Sequence, residues 1–149
     1  MRHLCDANVF VAVAVQLLAH HREAAAWFNG LGDADTAAFC RAVQTSFLRL
    51  LTQKIAANYS PVTNEMAWNA YERLCRDFAV VFAEEPEHLE RTWRKLAAPA
   101  SVSPKVWMDA YLAAFAMEGG WRLVTFDRDF KIYETQGLNL LLLGPRPAS

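Results

Sequence analysis

Three short stretches of this sequence hold acids that their neighbours give no surface reason to be there. Between Leu4 and Val15 the only polar side chains are Asp6 and Asn8. From Val106 to Met117 only Asp109 is charged, and Leu112, Ala113 and Ala116, its companions on one helical face, are apolar. In Thr125-Phe126-Asp127-Arg128-Asp129, a hydroxyl and then two acids follow an apolar run. An ionised carboxylate in apolar surroundings is costly unless it is paired or metal-bound, and converging acids repel one another as well. A divalent cation relieves both penalties. Oxygen-only donors, without a Cys/His cluster, suit Mg2+ or Mn2+ better than zinc. The chemistry this invites is phosphoester hydrolysis, with charge stabilised on the phosphate and water activated for attack.

Each acid also has a plainer reading. Asp6 can form a turn by accepting backbone N–H bonds. Asp109, in the first turns of a helix, gains about 0.3–1 kcal/mol from the dipole there. Asp127 and Asp129 alone resemble an ordinary turn after a strand. A shared role is the simplest account of all three stretches together.

The elements that must position these acids follow from the apolar pattern. Short apolar strands are expected at Arg2 to Cys5, Thr36 to Cys40, Phe78 to Phe82, Trp121 to Phe126 and Leu138 to Leu143. Helices are expected between them. Asn8 is the predicted cap of one reaching Leu18, and another runs from about His21 to Phe28, ended by Asn29-Gly30. Further helices are read from Ala42 to Gln53, from the Thr63 cap to Arg76, and from Pro86 to about Leu96. Ser103-Pro104 supplies a cap and a first-turn proline for a helix that Gly119-Gly120 terminates. Strands alternating with helices, without hairpin signals, predict an α/β fold with a mostly parallel sheet covered on both faces. Ligands in such sheets bind beyond the carboxyl ends of the strands, where Asp6 and Asp127 fall.

Composition narrows the class. With 149 residues, 54% hydrophobic and 21% charged, the chain is expected to be one domain over residues 1–149, which sets aside disorder and coiled coils. Fifteen Lys+Arg against 16 Asp+Glu give a net charge of -1, so a nucleic acid must be met by a local patch. Three cysteines, an odd number without metal-ligand spacing, disfavour a disulfide framework and a zinc site. A reducing cytoplasm fits that pattern. The apolar stretch from Val9 to Ala19 imitates a secretory signal, but Asp6, Asn8 and Gln16 interrupt the imitation and no membrane partner is expected.

Three motifs in order carry a family resemblance. Leu4-Cys5-Asp6-Ala7-Asn8-Val9-Phe10-Val11, Trp107-Met108-Asp109-Ala110-Tyr111-Leu112-Ala113-Ala114 and Leu123-Val124-Thr125-Phe126-Asp127-Arg128-Asp129-Phe130 together resemble the PIN-domain family. Within it they resemble the VapC-type toxin ribonucleases of toxin–antitoxin pairs. The resemblance spans nearly the whole chain. It implies an α/β/α sandwich with strand order 3-2-1-4-5 and a Mg2+- or Mn2+-dependent endoribonuclease leaving 5′-phosphate and 3′-hydroxyl ends. It also implies a homodimer and a cognate antitoxin. Carried over residue by residue, Asp6, Asp109 and Asp127 would be the catalytic, metal-holding acids and Asp129 a peripheral one, with Asn8 and Thr125 as supporting groups.

One position departs from the family pattern. Where many members carry a glutamate after the second strand, this chain has Gln44, which can orient a ligand but adds no charge. That substitution keeps open an alternative, a catalytically weak PIN-fold module that binds RNA or a protein. A small phosphatase is a third option, disfavoured because no phosphate-cradling glycine loop is present. For an RNA substrate, Arg41, Lys105, Arg128 and Lys131 flank the motifs and are the candidate contacts. The five tryptophans are read as core, and His20-His21 as helix-capping or dimer-contact residues set apart from the acids.

Overall fold

A computed structural model describes residues 1–144; residues 145–149, the end of the predicted domain, lie outside the described residues. Strands β1 (Arg2–Cys5), β2 (Thr36–Phe39), β3 (Val81–Phe82), β4 (Arg122–Thr125) and β5 (Leu140–Leu142) form an all-parallel sheet in the order 3-2-1-4-5. This is the predicted α/β architecture. Helices α1 (Ala7–Ala14), α2 (His21–Asn29), α3 (Arg41–Leu51) and α4 (Asn64–Asp77) connect the strands on one side of β1, where the chain steps outward to β3. Helices α5 (Leu89–Leu96) and α6 (Val106–Gly119) then carry it back to β4, and a 3₁₀ segment (Arg128–Gln136) leads to β5. Right-handed crossovers in opposite directions put these two groups on opposite faces, and α6 accordingly packs against α5 and the 3₁₀ segment, whereas α1 packs against α2 and α3.

The centre of the sheet is the most thoroughly buried part. Leu4 and Cys5 of β1, Ala38 and Phe39 of β2, and Leu123, Val124 and Thr125 of β4 are fully enclosed. Strands covered on both faces need continuous apolar runs, which the sequence supplies at these positions. Phe10 of α1 stacks on Phe39, with ring centroids 3.9 Å apart, and Phe47 of α3 closes edge-on against both rings. In α6, Ala110, Ala113, Ala114 and Ala116 present small side chains inward, so the helix can approach the sheet closely. The helix ends where Gly120 takes a left-handed conformation, φ 68°. Gly119 is required for a different reason: a Cβ there would lie 2.6 Å from the Trp121 ring.

Several element boundaries differ from those expected. Asp6, rather than Asn8, caps α1, accepting from Ala7 N–H at 2.7 Å with an extended backbone. The helix stops at Ala14 instead of Leu18, and His21 Nδ1 meets the Ala12 carbonyl of its last turn at 2.7 Å. The strand expected from Phe78 starts only at Val81, because Phe78 caps α4 and Ala79 sits at a left-handed φ of 53°. Pro104 and Lys105 form a turn, and α6 begins at Val106 with Lys105 in the cap position. Of the tryptophans, Trp121 is core, whereas Trp68 and Trp107 are 47% and 61% exposed, contrary to expectation. Among the described residues no helix is long and apolar enough to cross a membrane.

Candidate metal centre

Strand order reverses between β1 and β4: the chain leaves β1 in one direction and returns to its other side. The carboxyl ends of two such strands open a crevice. Asp6 follows β1, Asp127 lies two residues beyond β4, and both are therefore held at that crevice by the sheet itself. Asp6 N–H bonds the Val124 carbonyl at 2.9 Å, which ties the two strand ends together just before they diverge.

Thr125 organises the crevice. Its hydroxyl donates to Asp6 Oδ2 at 2.8 Å, and accepts from Asp127 N–H at 3.0 Å and from Asn8 Nδ2 at 3.3 Å. Asn8 Oδ1 in turn accepts from Phe126 N–H at 3.4 Å. One buried hydroxyl thus uses its single donor and both lone pairs on groups from the first and third motifs. The two residues read as supporting groups, Asn8 and Thr125, hold the two strand ends in register.

Asp109 arrives from the opposite layer. It lies in the first turn of α6, and one carboxylate oxygen from each of Asp109, Asp127 and Asp129 lies within 4.8 Å of the other two. Asp129 therefore joins the cluster more closely than its peripheral reading implied. The local cause is the start of the 3₁₀ segment, where Asp127 Oδ1 caps Asp129 N–H at 2.9 Å and the tight turn brings the second acid round. Asp6, expected to hold the metal with Asp109 and Asp127, stands beside this trio rather than within it, near enough for its charge and that of Asp127 to act on each other. Among the described residues, no lysine, arginine or histidine forms an ion pair with any of the four.

The electrostatic result is two carboxyls that resist ionisation. Burial, followed by the fields of Asp127, Asp6 and Asp129, pushes Asp109 up to about 6, with only Lys105 acting against it. Burial also raises Asp6, opposed by its bonds from Thr125 and Ala7 and reinforced by Asp127. Both shifts describe a site short of positive charge. Its donors are hard carboxylate oxygens at a spacing one cation could bridge, so the residues fit Mg2+ or Mn2+.

The remaining candidates are distributed around this centre. Gln44 is buried on α3, and its amide oxygen accepts from Arg41, whose guanidinium lies 4.5 Å from the Phe82 ring centroid. Its amide oxygen is therefore already engaged within the fold. Arg41, Lys105, Arg128 and Lys131 are all exposed, and Lys105 lies one turn ahead of Asp109. His20 was expected to stand apart from the acids. Instead it makes no capping bond and its ring stacks on Phe126, centroids 4.6 Å apart, next to Asp127. Nothing in the spacing of residues 20 and 126 announces that contact.

A family model described as PIN domain matches residues 4–135, spanning all three motifs and the four acids. The chain belongs to the PIN-domain family. It is 46% identical over 144 residues to Ribonuclease VapC41 of Mycobacterium tuberculosis, covering 94% of this chain and 97% of that protein. Its fold is shared with VapBC2 from Rickettsia felis bound to a promoter DNA fragment, at TM-score 0.69 and 13% identity over 97% of this chain and 100% of that one. It is also shared with VapC20 of Mycobacterium tuberculosis, a sarcin-ricin loop cleaving toxin, at TM-score 0.62 and 17% identity over 91% and 95% of the two chains. At these identities the two solved structures speak for the PIN fold alone.

Proposed function

We propose that this PIN-domain chain is the toxin of a toxin–antitoxin pair and hydrolyses RNA phosphodiester bonds with the help of Mg2+ or Mn2+. The observation that carries the reading is the meeting of Asp109, Asp127 and Asp129 within 4.8 Å, from two layers of the fold, without a cation partner among the described residues. The name of the 46% identical relative, a ribonuclease, supports the substrate class. The solved VapBC2 from Rickettsia felis, whose VapBC family is one of toxin–antitoxin systems, supports a cognate antitoxin as partner. A homodimer in a bacterial cytoplasm completes the proposal.

In this reading Asp109, Asp127 and Asp129 hold the cation, with Asp6 completing the acidic wall. A bound dication stabilises charge developing on the phosphate and activates the attacking water. The chain's own contribution is positional. The Thr125 hydroxyl fixes one oxygen of Asp6, and the Asp129 N–H fixes one oxygen of Asp127, which limits rotation of both carboxylates. Lys105, one turn ahead of Asp109, and Arg128, next to Asp127 in the chain, supply positive charge at the rim for the RNA backbone.

The test is cleavage of an end-labelled single-stranded RNA in MnCl2. Wild type cuts it, EDTA stops the reaction, and Asp109→Asn lowers the rate by more than about a hundredfold while remaining folded. Undiminished cleavage by Asp109→Asn removes that residue from the chemistry. The engagement of Gln44 by Arg41 favours a second reading, an RNA- or protein-binding module without cleavage. RNA binding without any cutting by wild type in Mn2+ would select it.

A further inference from the structure

Beside the acidic centre lies a hollow of about 560 Å3. Leu18, Leu50 and Ile55 form its apolar wall. The stacked pair of His20 and Phe126, with ring planes 19° apart, forms a flat aromatic surface, and the outer ring, His20, is exposed. Asn8 and Asp127 line it too, so the hollow is continuous with the crevice that holds the acids. Among the described residues lining it there is no lysine or arginine. A separate hollow is lined by Arg41, Arg49, Thr45 and Ser46, together with Glu85 and with Met108 and Tyr111, which flank Asp109 in sequence.

These two surfaces divide a nucleotide chain by its chemistry. Phosphates need the arginines and hydroxyls, whereas an uncharged planar ring suits an apolar wall with an aromatic face. We propose that the His20–Phe126 hollow is a nucleobase subsite, taking an unstacked base next to the phosphate held at the acidic centre. The base stacks on the exposed face of His20, and Leu50 and Ile55 shield it from water. The amide of Asn8 keeps one N–H and one lone pair beyond its bonds to Thr125 and Phe126, and these face the base edge, as single-stranded RNA recognition requires. The subsite rests on the nuclease reading for its substrate, but its occupancy can be measured without cleavage.

The experiment places 2-aminopurine at successive positions of a short single-stranded RNA and follows its fluorescence on binding the wild-type chain with CaCl2, a dication that also takes oxygen ligands, in place of MnCl2. Quenching is expected at one position, and an abasic residue there weakens binding about tenfold. His20→Ala abolishes the quenching, weakens binding of the intact RNA about tenfold, and binds the abasic RNA no worse than wild type does. Ile55→Glu, which puts a charge into the apolar wall and leaves both rings of the aromatic pair in the chain, abolishes the quenching independently should His20→Ala unfold. Equal quenching at every position, no quenching at all, or quenching that survives both substitutions overturns the subsite. So does unchanged RNA binding by variants that no longer bind the antitoxin, which would assign the hollow to a protein. Cleavage in Mn2+ without positional quenching removes the subsite alone; positional quenching without cleavage removes the nuclease reading alone.

Discussion

At the amino end of the sheet, Asp35 sits between the Met1 α-amino group, 3.1 Å away, and His3 Nε2, 3.6 Å away. Beside it the Arg2 guanidinium lies 3.8 Å from the Trp121 ring centroid and donates to the Gly119 carbonyl at 2.9 Å. Each charge there has a partner, and the partners close the open ends of neighbouring strands. At the carboxyl end, Asp109, Asp127 and Asp129 converge beside Asp6 with no ion pair among the described residues, and burial with mutual repulsion lifts Asp109 to about 6. The same residue type stabilises one end and strains the other. Unpaired acids held in place by a costly hydrogen-bond network mark a site kept for a ligand rather than for stability.

That contrast breaks most visibly at Thr125. Thr125→Val keeps the side-chain shape but leaves Asp6 Oδ2, Asn8 Nδ2 and Asp127 N–H without their shared partner. Urea denaturation is expected to show a loss of about 1–3 kcal/mol, and cleavage should fall as well because Asp6 and Asp127 lose their fixed orientation. Unchanged stability would mean that the network does not hold the strand ends.

The two ends also titrate in opposite senses. Asp109 has a raised value, so its contribution to stability is complete below the ordinary carboxylate value of 3.8 and is lost as pH rises through about 6. Burial lowers His3 from 6.5, against the pull of Asp35, so its contribution is present above 6.5 and is lost as pH falls below that. In EDTA, Asp109→Asn should match wild type near the acid end of the series and exceed it by about 1 kcal/mol above pH 7, after solvent screening is allowed for. His3→Gln should flatten the loss on the acid side. Parallel profiles for both variants would erase the contrast.

The smallest expected effect is at Asp35. Asp35→Asn removes the partner of Met1 and His3, so a slight drop in thermal midpoint is expected with RNA cleavage unaltered. A large loss of cleavage would show that the two ends are coupled through β1.

Much of this arrangement is legible in the chain itself. The acids read as important stand directly after apolar strands or inside an apolar helix, and alternating strands and helices give the mostly parallel sheet, whereas the order that brings β1 and β4 together comes only from the family resemblance. Asp129 is harder to place, because its approach to Asp109 depends on the 3₁₀ turn capped by Asp127, and the pattern of residues 128–136 carries no clear period. His20 is harder still, since its contact with Phe126 joins residues separated by most of the chain. The short β3 and the exposed Trp68 and Trp107 misled for a related reason: apolar composition does not say whether a neighbour covers it.

The central claim, that the carboxyl-end acids share one divalent cation, is tested most directly by calorimetric titration of MnCl2 into the metal-free protein at pH 7.5. A saturable site is predicted in wild type and in Asp35→Asn, with affinity reduced more than about tenfold in Asp109→Asn and in Asp127→Asn. Equal Mn2+ binding by wild type, Asp109→Asn and Asp127→Asn would contradict it.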